Sequence, residues 1–366
     1  MAFRWTAILA LVAASCSNAQ SVSLVNRPPP NLKPLHFTTV GRVERQKDAS
    51  VLRQWPGTYF ETAASGDAAF FQLGPGDVIL RLSADDGESV SLLKPVPGIY
   101  RVGGLGSGTH RLRIDVASES QGGPTTFGGF LERSGSRSAP LHHRSREIEF
   151  IGDSHTVGYG NTSPKRECSE DQVWATTDTS QGIAKRTAKR YDADYQVNAI
   201  SGRGIVRNYN GSSGDTLPQM YGYTLFDKKQ PVHDPNWHPE VIVVGLGTND
   251  FSTPLNAGER WKSRNELRAD FEATYVRFLE QLRSRNTHAY IILWATDLAN
   301  GEIASESSKV VDRFHQAGDT RVGFVLVRGL EFTACNYHPS LADDQAIANA
   351  ITGYIDARPE VWRIRH

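Results

Sequence analysis

The chain has 366 residues and a formal net charge of zero, because 40 Lys and Arg balance 40 Asp and Glu. This length exceeds what one compact core usually holds, so the sequence predicts two domains. The charges are mixed, without long runs of one sign, which argues against a nucleic-acid binder or a protein that binds anionic membranes. We therefore expect a neutral substrate, with neither nucleic acid nor a membrane as partner.

Residues 1–19 have the features of a secretory signal peptide. Arg4 precedes an apolar stretch over residues 6–14, and residues 17–19, Ser-Asn-Ala, form a small-x-small cleavage pattern. We expect cleavage before Gln20 and export to the extracellular space. Cys16 faintly resembles a bacterial lipoprotein cleavage site but lacks the usual leucine three residues earlier. A periplasmic or lipid-anchored protein is therefore the lesser alternative.

Removal of that segment leaves two cysteines, Cys168 and Cys335. In an oxidising compartment two cysteines more often form a disulfide than stay free. Two unrelated buried thiols are the alternative.

Residues 36–135 contain short β-rich runs separated by Gly, Pro and Asp. The clearest run, residues 110–116, alternates polar and apolar side chains as a half-buried strand does. An antiparallel β-sandwich domain is the predicted structure. Residues 136–146 then form a polar stretch, predicted to be a linker. The pair His142 and His143 within it has no partners at metal-ligand spacing, which favours a solvated linker over a metal site.

Strands and helices are predicted to alternate from residue 147 to residue 360. Leu, Phe and Tyr recur at spacings of three and four over residues 267–282, which predicts an amphipathic helix. Ser340 opens a capping box at the start of the last helix. Five strand-like apolar runs lie at residues 148–151, 195–200, 240–246, 289–295 and 322–327. Five successive β-α units indicate a parallel sheet with helices on both faces.

Polar residues follow the predicted strands at the places where such sheets bind ligands, beyond the carboxyl ends. Ser154 follows the first strand in a Gly-Asp-Ser run, Gly202 lies in a glycine turn after the second, Asn249 follows the third and His338 the fifth. Acyl transfer needs a hydroxyl nucleophile, an imidazole base and donors for the oxyanion. Each residue alone suits a turn, a cap or a structural role. Their joint order favours a serine hydrolase.

Two runs resemble the SGNH, or GDSL-type, hydrolases, and in particular the acetyl esterases of carbohydrate esterase family 2. They are IEFIGDSHTVGYGN at residues 148–161 and CNYHPS at residues 335–340. With the WPGTYF run at residues 55–60, the resemblance extends over nearly the whole mature chain. It implies a flavodoxin-like, doubly wound parallel α/β sheet preceded by an antiparallel jelly-roll β-sandwich.

The resemblance implies roles for the matching residues. Ser154 is the nucleophile, and His338 is the general base and then the general acid. Three oxyanion donors are implied: the N–H of Ser154, the N–H of Gly202 and the side-chain amide of Asn249. The resemblance also implies a Cys168–Cys335 disulfide, because the active-site loops of the family bring these two segments together.

The sequence leaves the third member of a catalytic triad unassigned. The family usually has an aspartate three residues before the histidine, where this chain has Cys335 followed by Asn336. Some members of the esterase branch use a Ser-His dyad, in which a backbone carbonyl fixes the imidazole tautomer. Asp153 and Asp297 are the nearest alternative acids by topology, although a turn or capping role suits both.

Trp294 ends the fourth predicted strand. It is a candidate substrate-binding residue that forms an apolar or sugar-stacking wall, and a purely packing role is the alternative.

The implied function is an exported acetyl esterase that removes O-acetyl groups from hemicellulose sugars of the xylan or mannan type. We expect a monomer that acts on acetylated polysaccharide or oligosaccharide. The chemistry requires no metal or organic cofactor, and neither a His-Glu-x-x-His run nor a dinucleotide fingerprint occurs. The alternatives are a GDSL-type esterase or lipase for other small acyl esters, and a non-catalytic glycan-binding protein.

Overall fold

The computed structural model describes residues 20–133, 141 and 143–362. The predicted signal peptide at residues 1–19 and part of the predicted linker, including His142, lie outside the described residues. Both predictions therefore stay predictions. Within the described part of the chain, no helix has both the length and the apolar composition that a bilayer crossing needs.

The first part of the chain forms two antiparallel sheets, as predicted. One sheet has the order β1-β10-β7-β12-β5-β4, with β2 also paired to β12, and the other has the order β3-β6-β11-β8-β9. The strands are β1 (Ser21–Leu24), β2 (Leu32–Leu35), β3 (Thr38–Val40), β4 (Val43–Arg45), β5 (Val51–Arg53), β6 (Tyr59–Ser65), β7 (Ala68–Leu73), β8 (Ile79–Ala84), β9 (Val90–Leu93), β10 (Gly98–Gly103), β11 (Thr109–Val116) and β12 (Thr125–Arg133).

Strand β11 shows why this segment forms a sandwich. Its alternate residues His110, Leu112 and Ile114 are buried, so one face of the strand points into the core. Between the two sheets the rings of Phe60 and Phe127 stack with centroids 4.0 Å apart. Apolar residues at alternate positions of the strands thus point inward and form an aromatic core that the two sheets share.

Two strands precede residue 36, where the sequence analysis expected the sandwich to begin. Strand β1 pairs with β10, and β2 pairs with β12. Three prolines at residues 28–30 lie between these strands, and Pro34 lies within β2. Proline cannot donate to a ladder but is tolerated where a strand pairs on one side. These prolines are the reason that the sequence analysis did not predict the two strands.

The second part of the chain is built on a five-stranded parallel sheet, as predicted. Its order, β14-β13-β15-β16-β17, is that of a flavodoxin-like doubly wound fold. Gly152 of β13 lies opposite Ala199 of β14 and Gly245 of β15, so the carboxyl ends of these strands are level. The strands are β13 (Arg146–Gly152), β14 (Ala193–Ala199), β15 (Val241–Gly245), β16 (Tyr290–Thr296) and β17 (Val322–Val327).

Helices cover both faces of this sheet. Phe271 packs with Val244 in one core, and Ile347 packs with the adjacent Val243 in the other, so β15 is buried on both sides. The predicted capping box at Ser340 is confirmed. The helices are α1 (Ser154–Val157), α2 (Glu170–Thr176), α3 (Ile183–Arg190), α4 (Leu217–Met220), α5 (Thr248–Phe251), α6 (Arg264–Arg285), α7 (Glu302–Gln316) and α8 (Leu341–Asp356). Short 3₁₀ turns lie at Thr179–Gln181, Tyr209–Gly211, Ala299–Gly301, Cys335–Tyr337 and Pro359–Trp362.

The two parts share a core. Trp55, in the sandwich loop after β5, is fully buried among the residues on one face of the parallel sheet. Its indole N–H donates to the carbonyl of Tyr223 at 3.1 Å, and its ring meets Phe226 edge-on at 4.9 Å. This burial ties the sandwich to the α/β part through apolar contact.

Buried charges add a second connection. The carboxylate of Asp115 in β11 accepts from Arg113 at 2.7 Å and from Lys185 of α3 at 2.7 Å. Burial by itself raises the pKa of Asp115, but the charges of Arg113 and Lys185 outweigh it and lower the pKa to about 2. The ionised carboxylate is thus stabilised across the interface.

Asp115→Asn is expected to lower the free energy of unfolding by about 3 kcal/mol, because it removes the counter-ion that Arg113 and Lys185 share. Since the folded-state pKa is depressed, the wild-type contribution is present above about pH 4 and lost as the pH falls towards 2. Urea unfolding followed by circular dichroism measures the change. Asp227→Asn, which breaks an exposed pair with Lys229, is the control and should cost less than about 1 kcal/mol. Equal losses of unfolding free energy in the two variants would contradict the stabilising role given to the buried Asp115 carboxylate.

Candidate active site

Ser154 lies at the carboxyl end of β13, where the chain turns into the single-turn helix α1. Asp153 caps this helix, and its carboxylate accepts the N–H of His155 at 3.1 Å. The cap places Ser154 at the first helical position, where its own N–H has no partner within the helix. The hydroxyl and the N–H of Ser154 therefore stand together at the sheet edge.

His338 approaches Ser154 from the loop before α8. Its Nε2 lies 3.0 Å from Ser154 Oγ, which is hydrogen-bonding distance. Its Nδ1 lies 3.1 Å from the carbonyl oxygen of Cys335 and 3.0 Å from that of Asn336. Because carbonyl oxygens only accept, Nδ1 carries the hydrogen and Nε2 presents its lone pair to the serine. Such a pair is arranged for proton transfer.

Neither of the two alternative acids reaches His338. Asp153 bonds to His155 and lies 3.3 Å from the Asn249 amide. Asp297 is exposed after β16, and in the described part of the chain no hydrogen bond joins it to His338. The geometry is that of a Ser-His dyad oriented by backbone.

Burial lowers the pKa of the His338 imidazole below its ordinary value of 6.5, and the two carbonyl acceptors partly oppose this shift. The neutral, proton-accepting form is therefore favoured at neutral pH.

The histidine loop has an uncommon backbone. Phe332, Asn336 and Tyr337 have φ angles of 50°, 51° and 59°, in the left-handed region where side chains other than glycine are strained. The predicted disulfide is confirmed: Cys335 in this loop is bonded to Cys168, which follows Ser154 in the chain.

Arg166 adds further bonds to the same loop. Its carbonyl accepts the N–H of Asn336 at 2.6 Å. Its guanidinium donates to the carbonyls of Phe332 at 2.9 Å and Glu331 at 2.8 Å. The segment around Cys168 thus holds the strained backbone that orients His338.

Gly202 lies in the turn after β14 with φ of 82°, and nothing lies within 4 Å of the place where a side chain would begin. Within the described residues its N–H has no hydrogen-bond partner, while its carbonyl accepts the N–H of Tyr209 at 2.9 Å. A residue with a Cβ would be strained here and would fill the open space. The N–H is free to bind an oxyanion.

The Asn249 side chain joins the loops after β13, β14 and β15. Its Nδ2 donates to the Arg203 carbonyl at 2.9 Å and lies 3.3 Å from Asp153 Oδ2. The longer contact leaves one hydrogen weakly held. This hydrogen is the one that a developing oxyanion can share.

Asp250 is a structural residue that the sequence analysis did not assign. Its carboxylate accepts the N–H groups of Ile205, Val206 and Arg207 at 3.0, 2.8 and 2.9 Å. A Cβ on Gly204 would lie 2.5 Å from this carboxylate, so the turn needs glycine there. Its position directly after Asn249, at the end of a strand, was the sequence signal that could have identified Asp250 as a residue of the site.

Two other residues beside the site were missed. The ring of Tyr159 lies 4.3 Å from that of His338 on one side, and the ring of His155 lies 5.6 Å away and perpendicular. Burial, and then the neighbouring His338, lower the pKa of His155 to about 3, so it is neutral. Both residues fall in the run after Ser154, where proximity to the site was predictable but contact with His338 was not.

Trp294 is only 4% exposed. Its indole covers Gly245, where no Cβ would fit, and its centroid lies 6.5 Å from that of His155. A ring covered in this way has no face for a sugar, so its surroundings support the packing role. Tyr337, next to His338 in the chain, and Tyr209, whose N–H binds the Gly202 carbonyl, are exposed aromatic residues, at 60% and 55% exposure.

No group of three or more His, Cys, Asp or Glu side chains in the described ranges is placed to hold a metal ion.

Comparison with known families agrees with this geometry. Residues 39–141 match the family described as carbohydrate esterase 2 N-terminal. Residues 150–345 match the GDSL-like lipase/acylhydrolase family.

Individual relatives cover most of the chain. A Cellvibrio japonicus protein named acetylxylan esterase / glucomannan deacetylase is 44% identical over 335 residues, which are 90% of this chain and 93% of that protein. A solved carbohydrate esterase, whose active site is described as displaying divergent catalytic and non-catalytic binding functions, has 43% identity and a TM-score of 0.87 over 90% of this chain and all of that one. A family two carbohydrate esterase from Clostridium thermocellum, solved with cellohexaose, shares the fold at 24% identity and a TM-score of 0.77, over 89% of this chain and all of that one.

The chain therefore belongs to the GDSL-like lipase/acylhydrolase family, in the branch of carbohydrate esterase family 2, and is a serine-dependent esterase.

Proposed function

We propose that this chain removes O-acetyl groups from acetylated hemicellulose of the xylan or glucomannan type, through an acetyl-enzyme on Ser154. The observation that carries the proposal is the 3.0 Å contact between His338 Nε2 and Ser154 Oγ at the sheet edge. The substrate class follows from the Cellvibrio japonicus relative, which is named for acetylxylan and glucomannan.

Acylation begins when Ser154 Oγ attacks the acetyl carbonyl carbon and its proton moves to His338 Nε2. The carbonyl oxygen becomes an oxyanion, which accepts from the N–H groups of Ser154 and Gly202 and from the Asn249 amide. The carbon–oxygen bond to the sugar then breaks, and the sugar oxygen leaves with the proton from Nε2. The products are the sugar alcohol and the acetyl-enzyme.

Deacylation repeats these steps with water. His338 takes a proton from the water as its oxygen attacks the acetyl carbon, and the same donors hold the second oxyanion. Ser154 leaves with the proton returned by the imidazole, and acetic acid is released, which loses its own proton to the solvent as acetate. No other group of the protein has to supply or remove a proton.

The two carbonyls on His338 Nδ1 replace the usual carboxylate. They hold the tautomer with Nε2 unprotonated, which is the catalytic requirement. As neutral dipoles, they stabilise the imidazolium less than a buried carboxylate does. The lowered pKa of His338 agrees with this difference.

The surroundings of the site suit a sugar polymer. Tyr337 is next to His338 in the chain, and the N–H of Tyr209 binds the Gly202 carbonyl, so the backbone of each of these exposed aromatic residues lies close to the proposed site. Aromatic faces stack on sugar rings without requiring charge, which fits a neutral substrate.

Export to the extracellular space is part of the proposal. It rests on the signal-like pattern of residues 1–19 and on the Cys168–Cys335 bond, since such bonds persist mainly in oxidising compartments.

Ser154→Ala tests the function directly. Acetate release from acetylated xylan and glucomannan should fall by about 10⁴-fold or more, because the acetyl-enzyme cannot form. Ser284→Ala on the exposed face of α6 is the matched control and should keep wild-type rates. Circular dichroism checks that both variants fold.

Wild-type turnover by the Ser154 variant would contradict the mechanism. Faster hydrolysis of long-chain acyl esters than of acetylated xylan would contradict the substrate class. Binding of xylan without acetate release by the wild-type protein would show a glycan-binding protein instead.

The pH profile of kcat/KM on 4-nitrophenyl acetate should have its acidic limb below pH 6.5. His338 must be neutral to accept the serine proton, and its lowered pKa keeps it neutral to lower pH than a free imidazole. Activity should therefore be level at about pH 7 and fall only as the pH drops through the folded-state pKa. An apparent pKa above 6.5 would indicate a carboxylate partner.

Asn336→Ala and Asn336→Gly test the dyad. Among the described residues, the Asn336 side chain bonds only to the Tyr159 hydroxyl, at 3.4 Å, whereas its backbone carbonyl, which faces His338, survives both changes. We expect a loss of less than about tenfold, smaller for glycine because the φ of 51° suits it. Asp297→Ala should be near wild type. A loss at any of these positions close to that of His338→Ala would refute the dyad.

A further inference from the structure

A loop of the β-sandwich reaches the turn that carries Gly202. Glu119 Oε1 accepts the N–H of Ser201 at 2.7 Å. Gln121 Nε2 donates to the carbonyl oxygen of Ser201 at 3.1 Å and to Glu119 Oε1 at 3.1 Å. Two side chains of the first domain therefore bind both backbone groups of one residue in the second.

The Ser201 carbonyl and the Gly202 N–H belong to the same peptide group. That group is planar and trans, so its C=O and N–H point in opposite directions. A donor bound to the Ser201 oxygen thus fixes the direction of the Gly202 N–H. It also polarises the peptide, which strengthens the N–H as a donor.

The α/β domain does not hold this peptide by itself. In the described part of the chain, the hydrogen bonds to the Ser201 backbone come from Glu119 and Gln121. The other backbone hydrogen bonds of this turn do not involve the peptide between Ser201 and Gly202. The N–H of Arg203 donates to the Ile200 carbonyl, and the N–H of Tyr209 donates to the Gly202 carbonyl. Because Gly202 has no side chain and a φ of 82°, its peptide would otherwise rotate readily.

We propose that Glu119 and Gln121 are positioning residues of the oxyanion hole, so that the β-sandwich completes the active site. The inference rests on the proposed role of the Gly202 N–H. It assigns to the first domain a catalytic contribution besides its packing.

The test is Gln121→Glu, which keeps the shape of the side chain but removes its donor. Loss of an oxyanion donor costs about 10²–10³-fold in kcat, and misdirecting one costs less. We expect kcat on 4-nitrophenyl acetate to fall by about 10–100-fold with KM changed by less than about twofold, because the oxyanion is absent from the bound substrate and forms only as the reaction proceeds. Gln121→Ala should behave alike, and Gln121→Lys, which restores a donor, should recover most of the rate.

The inhibition constant of methylboronic acid is the second readout. This compound forms a tetrahedral adduct with the active-site serine, so its affinity should fall in parallel with kcat. A merely structural role would leave it unchanged in folded enzyme.

Gln54→Ala is the matched control. Gln54 Oε1 accepts the N–H of Phe226 at 2.9 Å, a hydrogen bond between the same two domains that does not touch the Ser201 turn. Its kcat and boronate affinity should equal those of the wild type.

Wild-type kcat and boronate affinity in Gln121→Glu would overturn the inference, as would a rise in KM at constant kcat, which would indicate substrate contact. If Ser154→Ala is inactive while the Gln121 variants are normal, only this inference fails. If Ser154→Ala is active, the proposed function fails first.

Discussion

The site depends on one constraint: His338 is oriented by main-chain carbonyls and, among the residues that the structure describes, by no side-chain acid. A carboxylate can be placed by choosing a rotamer, but a carbonyl moves only with the chain that carries it. The loop around Cys335 and Asn336 must therefore be rigid if Nε2 is to stay 3.0 Å from Ser154 Oγ. The left-handed residues, the disulfide and the contacts of Arg166 all serve this requirement. Strained φ angles persist where neighbouring bonds over-determine them.

The same constraint explains why the segment after the nucleophile is long and irregular. Residues between α1 and α2 include Arg166 and Cys168, which bind the histidine loop covalently and through backbone. Ser154 and His338 are thus connected twice, once through the sheet and once through this segment. Displacing His338 would therefore disturb the disulfide and several hydrogen bonds together.

Two buried acids, Asp153 and Asp250, organise the other half of the site through hydrogen bonds. Burial raises the pKa of Asp153 to about 7 and that of Asp250 to about 6. Because these pKa values exceed the unfolded ones, both acids reduce folding stability as the pH rises from about 4 towards neutrality. In return, Asp153 contacts the Asn249 amide, and Asp250 fixes three successive N–H groups of the turn after Gly202. The two acids thus lower folding stability, but they hold the hydrogen-bond donors of the site in position before the reaction begins.

The sequence by itself determined the β-sandwich, the parallel sheet and the strand ends that carry Ser154, Gly202, Asn249 and His338, because hydrophobic periodicity and turn residues are local signals. It also placed Cys168 and Cys335 as partners once the family resemblance was seen. The early strands β1 and β2 were missed because their prolines mimic a linker. The burial of Trp294 was decided only by the fold, since burial depends on what packs over a ring. Which carbonyls bind His338, the Arg166 contacts and the hydrogen bonds of Gln121 likewise came only from the structure. Each is made through backbone atoms, which every residue has and no motif marks, and the bonds of Arg166 and Gln121 also join segments far apart in the chain.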